Sequence, residues 1–91
     1  MASKSEDFVE GVGRRIAEIR QERGWTQEEA AERLEVTLRH MKRLERGHNM
    51  TLRTLQWIAS VLKVAPAILV SPPKEWAVRR PGRPRTQKKS D

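Results

Sequence analysis

Apolar residues along this chain recur at the spacing of one helical face, and no stretch alternates apolar and polar positions long enough to form a strand. Phe8, Val12, Ile16 and Ile19 stand three or four apart, until Gly24 breaks the pattern. Asp7, with Glu10 three residues on, offers a capping box, so the first helix is expected to begin there, with residues 1–6 a flexible N-terminus. Its opposite face, with Glu10, Arg14, Glu18, Glu22 and Arg23, mixes signs in the manner of a solvated surface. Further on, Thr51 is placed to cap a helix whose residues Leu52, Leu55, Ile58, Ala59 and Leu62 share a face. Pro66 then opens a short helix carrying Ile68 and Leu69, and Ser71, Pro72 and Pro73 close it. The expectation is all-α: a compact four- to five-helix bundle over residues 7–70.

Between the first and fourth helices, residues 26–47 read TQEEAAERLEVTLRHMKRLERG and divide into two short helices. Thr26 caps the first with Glu29 as its reciprocal partner, and Trp25 and Ala30 occupy the staple positions around that box. Thr37 caps the second, Val36 and Met41 repeat the staple, and Gly47 follows the last periodic residue, where a left-handed stop is cheapest. Only residues 34–36 remain for the turn. Two capped helices so close together have the geometry of a helix-turn-helix.

Charge singles out one of these helices. The chain of 91 residues carries a net charge of +7, and residues 71–91 hold seven Lys/Arg against two Asp/Glu. The remaining surplus of two belongs to residues 1–70, yet residues 37–47 alone contain Arg39, Lys42, Arg43 and Arg46 against Glu45. Positive charge concentrated on one helix and one tail is the distribution of a nucleic-acid binder. The length allows one small domain, too small for a deep catalytic cleft. No cysteine is present, which excludes disulfides and thiolate metal sites. No apolar run approaches the roughly 18 residues that span a bilayer, and residues 1–10 lack a signal-peptide core, so a cytoplasmic protein is expected.

Residues 71–91 contain four prolines and few apolar side chains, so a disordered tail is expected. Within it RPGRPR, with Arg80, Gly82, Arg83 and Arg85, is similar to an AT-hook, a segment that enters the minor groove of A·T-rich DNA; Pro81 stands where that motif has an arginine. A plain basic arm carries equal weight.

In a helix-turn-helix the first turns of the second helix meet base edges in the major groove. Leu38, Arg39 and Arg43 occupy that place: the arginines, four apart, share a face and can bond guanine bidentately, and Leu38 can touch a thymine methyl. Thr37, His40, Lys42 and Arg46 are assigned to phosphate or the groove flanks. Gln27, at the start of its helix, can hold a phosphate together with free backbone N–H groups. His40, Glu45 and His48 are spaced so that no helical face collects all three, which sets a metal site aside. No phosphate loop, triad or acid pair stands out, so neither catalysis nor a cofactor is expected.

As a set, these residues resemble the phage-repressor and Cro-like, or Xre-like, helix-turn-helix family. Gln27, Ala31, Val36, Thr37, Met41, Leu44, Glu45 and Gly47 match its pattern, and Arg20 matches a first-helix arginine that in the family pairs with the glutamate at the position of Glu45. The similarity runs over residues 13–70. One departure is Glu35, where the family usually has glycine in the turn. The resemblance implies a structural Arg20–Glu45 pair and a bacterial, nucleoid-associated regulator, expected as a repressor that binds duplex DNA as a homodimer. A protein-interaction adaptor or an antitoxin that keeps the fold is the alternative.

The expected dimer contact is on the fourth helix. At about 100° per residue, Trp57 lies almost opposite the core face, with Val61 and Val64 near the same line and Ile68 continuing it. Aromatic residues are enriched at interface cores.

Overall fold

The computed structural model describes residues 2–74, with side chains from residue 8 onward. Among these residues there are five α-helices and no strand: α1 (Ala2–Glu22), α2 (Gln27–Leu34), α3 (Leu38–Glu45), α4 (Leu52–Leu62) and α5 (Pro66–Leu69). Their inward faces meet in one core. Val12, Ile16 and Ile19 of α1, Ala30, Ala31 and Leu34 of α2, Met41 and Leu44 of α3, Leu55, Ile58, Ala59 and Leu62 of α4, and Leu69 of α5 are all buried. α1 packs against α3 and α5, and α4 against α2 and α5.

The helix starts follow local chemistry. Thr26 and Glu29 form the complete reciprocal box, and the hydroxyls of Thr37 and Thr51 each accept the backbone N–H three residues on, at 3.0 Å. α1 differs: it runs from Ala2 straight through Asp7. Residues 2–6 contain neither glycine nor proline, and extending an existing helix costs far less than starting one.

Two residues expected in the core lie outside it. Phe8 is 56% exposed because the bundle ends one turn short of it, where the Gly47 main chain crosses Glu10 and Val9. Leu52 is 82% exposed, since the first turn of α4 projects past the helices that cover Leu55. In the other direction, packing continues beyond residue 70. Pro73 is fully buried, the Lys74 backbone N–H donates to Glu18 Oε1 at 3.1 Å, and Lys74 Nζ lies 2.9 Å from Glu22 Oε2. The Lys74 ammonium, hydrogen-bonded to Glu22, holds the Glu22 carboxyl below its ordinary pKa. The mixed-sign face of α1 is therefore only partly a solvated surface. Arg23 Nε and Nη2 donate to Leu62 O at 3.0 and 2.6 Å, closing the carbonyl end of α4.

The turn between α2 and α3 keeps left-handed geometry without glycine. Glu35 has φ 61° and ψ 40°, its N–H reaches the carbonyls of Ala31 and Glu32, and Val36 N–H donates to Ala31 O at 2.9 Å. α3 ends on Gly47 at φ 94°, with His48 N–H donating to Arg43 O at 3.1 Å.

Candidate nucleic-acid interface

α3 is anchored on one side and bare on the other. Met41 and Leu44 are buried, while Arg39, Lys42, Arg43 and Arg46 are exposed and none has an acidic partner among the described residues. Leu38 is half-buried at the start of the helix, beside the Thr37 cap, and His40 is half-buried on the flank away from Lys42. The face that carries the cations is thus the face that the core does not use.

Glu45, the last residue of α3, holds the helix in place. It accepts from Arg20 Nε at 2.5 Å and Arg20 Nη2 at 3.2 Å, and Arg20 Nη1 also donates to Trp25 O at 2.8 Å. The side chains of Arg20 and Glu45 are only 11% and 7% exposed. A two-pronged guanidinium–carboxylate contact out of water fixes angle as well as distance, so α3 is locked to α1 and to the loop before α2. Gln27 joins this network, its Nε2 donating to Glu45 Oε1 at 2.9 Å. One amide N–H is thereby committed, and the other N–H and the amide oxygen remain to meet a ligand. Trp25, which braces the start of α2, has the Arg33 guanidinium 4.4 Å over its ring.

Gln27, Lys42 and Arg46 share one feature that the sequence did not show: with Arg14 they line an open cleft of about 510 Å³ between α1 and α3. Arg14 was read as part of a solvated face. Its signal is its spacing, because Arg14, Glu18 and Gln21 fall on one stripe of α1.

Trp57 sits away from this region. It is 46% exposed, and its indole Nε1–H donates to Leu34 O at 3.0 Å, at the end of α2. Val61 and Val64 are partly buried against the core, and Ile68 is 37% exposed, with its carbonyl accepting Arg15 Nε. Arg80, Gly82, Arg83 and Arg85 lie outside the described residues. Among the described residues no group of acidic or histidine side chains is placed to hold a metal ion, and no helix is long and apolar enough to cross a membrane.

Three comparisons bear on this geometry. A family model described as helix-turn-helix matches residues 16–69. The uncharacterized HTH-type transcriptional regulator y4dJ of Sinorhizobium fredii is 40% identical over 70 residues, covering 76% of this chain and 91% of that protein. A crystal structure of the hypothetical transcription factor NHTF from Neisseria superposes with a TM-score of 0.68 at 26% identity, covering 80% of this chain and 85% of the other.

Proposed function

Because the chain belongs to the Cro-like helix-turn-helix family of DNA-binding transcriptional regulators, which bind and do not turn over a substrate, we propose that it is a sequence-specific repressor reading the major groove with α3. The observation that carries this reading is the row of cations on the outward face of α3, without acidic partners among the described residues while the opposite face is buried. Arg39 and Arg43 are the base readers, with Leu38 beside them at the groove floor. Gln27, Thr37, His40, Lys42 and Arg46 grip phosphates along the two flanks. Two copies bind together through the surface of α4 and α5 around Trp57, Val61, Val64 and Ile68, so that two α3 helices meet successive major grooves. Arg80, Gly82, Arg83 and Arg85 extend the footprint into an adjacent minor groove.

Selecting bound duplexes from a random pool tests the reading. An enriched, two-fold related site containing G·C pairs is the expected result, and recovery of no enriched sequence sinks it in favour of an adaptor. On the selected site, Arg39→Ala and Arg43→Ala should each cost about 1–3 kcal/mol and relax preference at one base position.

A further inference from the structure

We propose that residues 71–74 are an anchored strap that delivers the basic segment beyond them to the duplex beside the bound half-site, on the flank where α2 begins. This rests on the reading of α3 as the helix in the major groove.

The strap is fixed to one stripe of α1. Arg15, Glu18 and Glu22 stand three and four residues apart and so share a face. Arg15 Nε donates to Ile68 O at 3.2 Å, near the end of α5, and the Ser71 hydroxyl donates to Ala67 O at 2.9 Å. Pro73 is then fully buried, and Lys74 binds twice: its backbone N–H donates to Glu18 Oε1 at 3.1 Å and its ammonium to Glu22 Oε2 at 2.9 Å. An exposed ion pair such as Lys74–Glu22 is worth little by itself. A buried proline ring, fixed in φ, followed by a backbone hydrogen bond at the next residue does hold the point from which the chain leaves.

That point lies on the side of the domain that α3 presents to DNA. Glu18, which accepts the Lys74 N–H, lines the α1–α3 cleft together with Gln27, Lys42 and Arg46. The Gln27–Glu45 hydrogen bond places this flank of α3 at the start of α2, whereas the turn at Glu35 is about 12 Å away along α2.

Reach decides what the strap can deliver. Residues 75–91 carry six Lys/Arg against two Asp/Glu. The minor groove next to a bound major groove is half a helical turn away, about 17 Å. At up to about 3.6 Å per residue, Arg80 reaches about 22 Å from Lys74 and Arg85 about 40 Å. A chain leaving from the opposite side of the domain, whose smallest extent is 23 Å, would leave Arg80 short of any groove.

The test uses the full chain, which holds no cysteine, with one cysteine introduced at a time to carry an iron chelate that cuts nearby DNA. Glu28→Cys and Glu35→Cys, both at exposed positions, mark the two ends of α2 on the selected duplex. Cuts from Thr86→Cys should lie with those of Glu28→Cys and extend from them away from those of Glu35→Cys. Releasing the strap with Glu22→Gln/Pro73→Gly should spread the Thr86→Cys cuts over both markers and lower affinity roughly threefold at about 0.15 M salt, through a lower effective concentration of the tail. The log–log salt slope should stay the same, because the cations still meet phosphate once bound. Charge alone predicts the reverse, since Glu22→Gln removes a negative group and would tighten binding. Thr86→Cys cuts on the Glu35 side, or none near the site, overturn the proposal. So does a released variant, shown to be folded by its helical circular dichroism, that keeps the parent's cut pattern and affinity. Arg39→Ala and Arg43→Ala, titrated alongside, separate the two claims. If they lose base discrimination while the Thr86→Cys cuts fall on the wrong side, only the strap proposal fails. If they retain it, the reading of α3 fails and the strap's target with it.

Discussion

A β-carbon on Gly13 would lie 2.6 Å from the backbone nitrogen of Gly47 and 2.7 Å from Leu44 O, so α1 and the end of α3 touch main chain to main chain. Glycine in a helix interior costs roughly 1 kcal/mol relative to alanine, and here the approach of the two helices requires it. Gly13→Ala should accordingly destabilise the domain, by about 1–3 kcal/mol as for other overpacked sites, despite the gain in helix propensity. Chemical denaturation measures it, and a variant as stable as wild type would show that α3 can shift without cost.

The Arg20–Glu45 pair should behave as a lock on the same helix. Glu45→Ala leaves a guanidinium that is only 11% exposed with no counter-charge, and breaking such a pair costs about 3–5 kcal/mol when fully buried. A loss near the low end of that range is expected, together with weaker binding to every duplex, because Gln27 is released at the same time. Restored stability in Arg20→Met/Glu45→Leu, with binding still weak, would separate the lock from the proposed phosphate contact of Gln27. Full recovery of binding in that pair would show that Glu45 does not position Gln27.

Much of this arrangement was legible in the chain. Thr26, Thr37 and Thr51 announced their helices because a cap is chemistry within three residues, and the stripe of Val12, Ile16 and Ile19 needed only periodicity. What escaped depends on neighbours far along the sequence. Phe8 and Leu52 have the right phase for burial but lie past the ends of the helices that would cover them, a fact of helix length and not of pattern. Arg23 gave no hint of its bond to the Leu62 carbonyl, since its partner is 39 residues away. Gly13 did leave a trace: a glycine inside an otherwise regular helix usually marks a close approach. For the interface, cations on α3 pointed to the face, while the place of Arg14 beside Lys42 and Arg46 required seeing which stripe of α1 borders α3.

Two helices end on left-handed residues that are not glycine, Glu35 at φ 61° and Lys63 at φ 63°. Such a conformation costs a side-chain-bearing residue about 1–2 kcal/mol, and glycine returns part of that gain through its freer unfolded chain. Glu35→Gly and Lys63→Gly should each stabilise the domain by about 0.5–1 kcal/mol. Thermal or urea unfolding checks both. A destabilised Lys63→Gly would mean that its side chain contributes more than its backbone geometry costs.

Trp57 is proposed for two tasks that substitution can separate. Its indole N–H satisfies the Leu34 carbonyl at the end of α2, while nearly half of its surface faces outward. Trp57→Phe keeps an apolar ring but removes the donor, so it should cost the monomer about 0.5–1.5 kcal/mol, the usual worth of one hydrogen bond, and leave self-association largely intact. Trp57→Glu loses the same donor and also sets a charge in the proposed contact, where desolvation opposes it. It should therefore abolish the dimer while the helical circular-dichroism signal persists. Sedimentation over a concentration series, paired with urea unfolding of both variants, reads the two effects independently. A Trp57→Glu protein that dimerises with unchanged affinity refutes the interface and reduces Trp57 to a cap for α2. If Trp57→Phe already loses the dimer, then the indole's attachment to Leu34 is what shapes the contact, because the fixed ring, and not its apolar area alone, is presented to the second copy.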